Sequence, residues 1–183
     1  MRRPALWQPW VVLLLIGMAW LSLPMLGNGL TRGGETAILL LGSMGAAAGI
    51  LRLRRWVRIM GLALTAHIIP YLLFSGLIGH EGAATGAFFL VLAAAWLLAW
   101  ALVTVLAEIR TSRGDVRMVL SLIIPVIFGV WILIIWEAVT RGLGIPFILL
   151  PPPSAIFVKL ISSLSVIAAD VNQTIFKAVL VGY

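Results

Sequence analysis

Residues 10–26, 36–51, 57–78, 83–106 and 119–139 form five stretches apolar enough and long enough to cross a bilayer. A hydrocarbon core about 30 Å thick needs roughly 20 helical residues at 1.5 Å each. With no water inside the core, every backbone polar group there must be satisfied within the protein. A chain with five such runs therefore reads as an all-α integral membrane protein. Its hydrophobic share is 62% and its charged share 10%, more apolar surface than a water-soluble domain of this length hides. The second run is short for a full crossing, so Arg52 or the 31–35 end would snorkel to complete it.

The arginines set the direction. Arg2 and Arg3 precede the first span, Arg52, Arg54, Arg55 and Arg58 lie between the second and third, and Arg110, Arg113 and Arg117 lie between the fourth and fifth. The intervening 27–35 and 79–82 loops carry Arg32 alone. The positive-inside rule thus places the N-terminus in the cytoplasm. The net charge of +7 follows from these span-end arginines and not from a nucleic-acid-binding face. No cysteine is present, which excludes a disulfide framework, a thiolate nucleophile and a Cys-based metal site. The first run is long and lacks a small-x-small cleavage site, so it reads as a span and not a signal peptide.

Residues 1–106 form a four-span module joined by short loops, residues 107–118 a polar cytoplasmic linker, and residues 119–183 a part of different character. Within the module, Gly45 and Gly49 make a G-x-x-x-G pair that permits close helix approach, either inside the protein or at a dimer face. His67 falls near the middle of the third span, three residues before Pro70. An ionisable group at that depth has two readings, a structural hydrogen bond or a transport or relay role. His80 and Glu81 read as a solvated loop pair.

The fifth span ends in Trp136-Glu137, where Glu137 either faces headgroups and water or turns inward to pair with a partner helix or line a path. Gly142, Gly144 and Pro146 mark a turn, and Pro151-Pro152-Pro153 an extended, helix-incompatible stretch. Ser154 is placed to cap an external amphipathic helix over residues 154–168, with Lys159, Ser162 and Ser163 on its polar face. Asp170 is placed to cap the next helix, on which Asp170, Thr174 and Lys177 make a polar stripe at helical spacing. Lys177 either snorkels outward or faces a water-filled path. The chain stops at Val181-Gly182-Tyr183, inside a sixth apolar segment, so it is expected to be the front part of something longer.

The order of these features resembles the start of a permease subunit of bacterial ABC importers, in the branch serving nitrate, sulfonate, taurine and thiamine-precursor uptake. The matching residues are Trp136, Glu137, Pro151, Pro152, Pro153, Ser154, Thr174, Gly182 and Tyr183, spread over about a third of the chain. The resemblance implies a bacterial inner-membrane subunit partnered by a second permease, an ABC ATPase dimer and a periplasmic solute-binding protein. Substrate-path candidates are Glu137, Thr174, Lys177 and His67, with no catalytic residue, metal or cofactor. Hydrolysis would belong to the partner ATPase, because the chain has no P-loop motif. Residues 1–106 have no counterpart in short family members. The family's cytoplasmic Glu-Ala-Ala coupling loop falls beyond Tyr183, so the chain as it stands is expected neither to couple to ATP hydrolysis nor to complete a path. The other reading is a non-enzymatic accessory subunit of a larger membrane complex. A membrane enzyme built on His67, Glu137 or His80 finds no supporting motif.

Overall fold

The computed structural model describes residues 6–27, 29–51, 53–179 and 182, with the side chains at 176–178 left out. The elements are helices: α1 (Gln8–Leu21), α2 (Arg32–Ile50), α3 (Arg55–Leu77), α4 (Gly86–Ala107), α5 (Gly114–Gly142), α6 (Pro153–Ser162) and α7 (Leu164–Val171). A π-helical run, Asn172–Val179, continues α7. By length and apolarity, α2, α3, α4 and α5 qualify as membrane-crossing helices. The chain divides into two compact units, Met1–Ile145 and Pro146–Tyr183.

In the first unit α1 packs on α4 and α2, α3 packs on α2 and α4, and α5 lies against α4 and α3. The helices run antiparallel. At one end the start of α1 meets the end of α4 through Trp7 and Trp100, whose ring centroids are 5.6 Å apart. Pro9 there sits against Gly49 near the end of α2. At the other end Met25, Thr85, Gly82 and Arg141 come together through backbone bonds. These are called the Trp7 end and the Thr85 end below.

α4 is apolar all round and is the central helix, burying Phe88, Val91, Ala94, Ala95, Leu98 and Ala101 completely, as expected of a helix with no polar face. The glycines of α2 let its neighbours approach. A Cβ on Gly45 would lie 2.5 Å from Thr65 Oγ1 and 2.6 Å from Leu98 Cδ1, and one on Gly42 would lie 2.6 Å from Ile16 Cδ1. The G-x-x-x-G face is therefore spent on packing inside this chain, against α1, α3 and α4, and is not free as a dimer face.

The first span departs from expectation. The helix stops at Leu21, well short of residue 26. Pro24 is the physical reason: it has no N–H for the helical ladder and biases Leu23 away from the helical region. The apolar residues that follow fold back over the Thr85 end, where Met25 and Leu26 are buried. Protein groups satisfy their backbone. Met25 N donates to Glu35 Oε1 at 2.6 Å. Thr85 donates from Oγ1 to Pro24 O at 2.6 Å and from its amide to Met25 O at 3.0 Å. Glu35, in the first turn of α2, is thereby 3% exposed and does not snorkel to water. Thr31 Oγ1 caps that same turn by accepting from Gly34 N at 3.1 Å.

The second unit also differs from the expected single helix over residues 154–168. Pro152 occupies the cap position and Pro153 opens α6, so Ser154 is the second helical residue and not the cap. The helix breaks at Ser163, and Pro153–Ser162 and Leu164–Ile175 are inclined by 60°. Serine hydroxyls and amides compete with the ladder at the break: Ser162 Oγ donates to Lys159 O at 2.9 Å, and Ser163 N is shared between Lys159 O and Leu160 O. No new helix starts at Asp170, which lies inside α7 and caps nothing.

Candidate functional site

The Thr85 end of the first unit holds the densest polar cluster. The sequence leaves α3 at Leu77, turns through Gly79 and Gly82 at positive φ, and enters α4 at Gly86. Gly82 N donates to Arg141 O at 2.8 Å and Ala84 N to Gly142 O at 3.2 Å, which ties this loop to the last turn of α5. A Cβ on Gly144, itself at φ 61°, would come within 3.0 Å of Gly82 Cα. Backbone approach this close at positive φ is available only to glycine.

Side chains fasten the same junction. Arg141 Nη2 lies 2.8 Å from Glu81 Oε1, and Arg141 Nη1 lies 3.5 Å from Glu137 Oε1. The Arg141 hydrogen bond holds the Glu81 carboxyl below the usual carboxylate range. Thr140, nearly fully buried, returns its hydroxyl to Trp136 O at 2.9 Å. Glu137 is 9% exposed and its ion pair with Arg141 runs along its own helix one turn on, which is neither of the arrangements the sequence suggested. Glu81 is not merely solvated, as the loop reading had it; it anchors α5. One guanidinium facing two carboxylates forms a latch between elements.

His67 lies part-buried on α3. Its Nδ1 is 2.8 Å from Ala63 O one turn earlier. A carbonyl oxygen only accepts, so Nδ1 is the donor in this bond. The ring meets the edge of Trp131 on α5, centroids 6.3 Å apart and planes inclined 61°. Trp131 is almost wholly buried and is the main side chain by which α5 enters the core. Its Nε1, like that of Trp136, has no hydrogen-bond partner among the described residues. The structural hydrogen bond read for His67 is thus present. Among the described residues, no three His, Asp or Glu side chains stand together as a metal-binding group.

In the second unit Phe147, Ser154, Ala155, Val158, Lys159 and Ser162 line an open groove of about 480 Å³. Thr174 and Gly182 are exposed. Pro151, Pro152 and Pro153 are partly covered, and Pro152 sets the extended entry into α6 at ψ 146°. The side chain of Lys177, and Tyr183 altogether, lie outside the described residues. Of the path candidates, Glu137 and His67 share the first unit, the former in the latch and the latter against Trp131. Sequence reasoning missed Arg141 and Glu35. The spacing of Glu137 and Arg141, one helical turn apart, was the available signal for the former; nothing local marks the latter as buried.

Fold and site together define an all-helical chain with four helices of membrane-crossing length, carrying a polar latch at one end and no assembled catalytic group among the described residues. No family model, curated protein or solved structure matches it.

Proposed function

We propose that the chain is the front portion of a membrane permease subunit of an ABC importer for a small solute. In this reading it sits in a bacterial inner membrane, N-terminus in the cytoplasm, with five spans and the start of a sixth. The observation that carries the proposal is the state of α5. It has the strongest span character in the chain, yet only 6% of its most apolar window is buried. Met118, Leu122, Val126, Phe128, Ile132 and Leu133 are all exposed along it. In a bilayer lipid covers such a face, and in this reading it is also available to protein besides the four-helix module. It carries Trp136-Glu137 near its end and is followed in the sequence by the Pro151–Pro153 stretch and α6, in the order of an importer permease core. Further core spans and the second permease would cover it, and partner ATPases would supply hydrolysis.

The latch favours the alternative, an accessory subunit of a larger complex. Glu81, Arg141 and Glu137 bind the end of α5 to the four-helix module, and Met1–Ile145 forms one compact unit. In that reading α5 belongs with the module, and its bare face meets another complex.

Purification of the native protein from its own membranes through an N-terminal tag tests both. Co-purification with a nucleotide-binding subunit and a second permease, with ATP hydrolysis stimulated by a solute-binding protein, is the expected result. A stable complex without any ATPase overturns the importer reading in favour of the accessory one.

A further inference from the structure

The groove on α6 has the chemistry of an amphiphile site. Its lining is mostly apolar, with Phe147, Ala155 and Val158, and also carries Ser154, Ser162 and Lys159. The lining residues fall on one helical face, since 154, 158 and 162 recur at one-turn spacing and 155 and 159 lie beside them. The rest of the helix presents Ile156, Phe157, Leu160 and Ile161 to its surroundings. A short helix with this much exposed apolar surface and one cation belongs in a bilayer interface, where the groove opens onto lipid and not onto bulk water.

We propose that the groove holds the headgroup of an anionic phospholipid. Lys159 is the counter-ion to its phosphate, while Phe147, Ala155 and Val158 cover the first carbons of its chains. Charge complementarity selects the occupant, because a cation in a mostly apolar lining matches a phosphate attached to acyl chains better than it matches a free anion. A volume of about 480 Å³ lies within the range of small-ligand sites. The inference requires α6 to lie in a bilayer and nothing of the transport reading.

The absence of cysteine makes the test direct. A bimane at Ile161→Cys, on α6 but outside the groove, is reconstituted with the full chain into phosphatidylcholine vesicles. These contain either dibrominated phosphatidylglycerol or dibrominated phosphatidylcholine at equal mole fraction. Quenching should report about fivefold enrichment of the anionic lipid, the preference expected of one lysine at an anionic surface. Lys159→Ala should abolish the preference and Lys159→Arg should keep it. In a K159A/I156K double variant the charge returns to the helix off the groove, and the preference should stay lost. Equal quenching by the two lipids overturns the site, as does preference surviving K159A or restored by I156K. Displacement by inorganic phosphate overturns it in favour of a free anion, and no quenching by either lipid overturns the interfacial placement itself.

Discussion

Arg141 holds together groups 60 residues apart, and its energetic weight is set by exposure. With side chains 24% and 44% exposed, the Arg141–Glu81 pair is screened by solvent and contributes at most about 1 kcal/mol. Its pH dependence is more telling. The folded Glu81 carboxyl is held below its unfolded value by the Arg141 hydrogen bond. Its contribution is therefore complete above the ordinary glutamate pKa of about 4.3 and disappears as pH falls through the lower folded value. A carbon-13 NMR titration of the Glu81 carboxyl should give a midpoint below that of a free glutamate, and Arg141→Gln should return it to the ordinary range. Glycines separate by what surrounds them. Gly45→Ala drives a methyl into Thr65, whose Oγ1 is tied to Gly61 O at 2.7 Å, so it should cost about 1–3 kcal/mol. Gly17, mid-helix in α1, has nothing within 4 Å, and Gly17→Ala should be neutral or stabilising by up to about 1 kcal/mol. Thermal unfolding in one detergent compares the two.

At the scale of elements, α5 is held at its Thr85 end by the latch and near its middle by Trp131. Trp131→Ala empties a packed site and should cost about 3–5 kcal/mol. His67→Leu gives up a bond that closes on its own helix, where Ala63 O keeps its ladder partner, and should cost less than about 1 kcal/mol. Unfolding in detergent that ranks the two the other way would move the anchor of α5 from Trp131 to His67. The helices themselves were legible because apolar length alone nearly dictates them: α2, α3, α4 and α5 all cover their expected spans within a few residues at most ends. The error at α1 has a physical origin. Met25 and Leu26 are apolar because they plug the Thr85 end, and hydropathy does not distinguish a plug from a span; Pro24 was the signal that the helix had ended. Ser162 and Ser163 similarly marked a break that periodicity smoothed over. Glu35 and Glu81 were illegible for another reason. Their partners, Met25 N and Arg141, meet them only once the chain has turned back at the Thr85 end, and no local pattern encodes that.

For the whole molecule, the distribution of charge between the two ends carries the strongest remaining argument. The folded arrangement gathers Arg54, Arg55, Arg58, Arg110, Arg113 and Arg117 at the Trp7 end, where α2 and α4 end and α3 and α5 begin. Arg58 is partly spent within the fold, donating from Nη2 to Gly49 O at 2.8 Å where α2 ends, which suits a cation at a helix C-terminus. Arg113 pairs with Asp115 at 3.1 Å on an exposed surface. At the Thr85 end Arg141 is occupied by two carboxylates, and Arg32 at the start of α2 is the other arginine there among the described residues, so that end carries fewer arginines than the Trp7 end. On the proposed orientation, with arginines retained on the cytoplasmic side, the Trp7 end would face the cytoplasm. The cysteine-free background again permits a clean measurement, with a membrane-impermeant maleimide applied to intact cells. His80→Cys, in the exposed loop at the Thr85 end, should label directly, and Thr111→Cys, in the turn before α5, only after permeabilisation. The reverse pattern would place α5 running inward. It would remove the topological ground for likening α5 and the segment after it to an importer core, and leave the latched five-helix unit as the feature to explain.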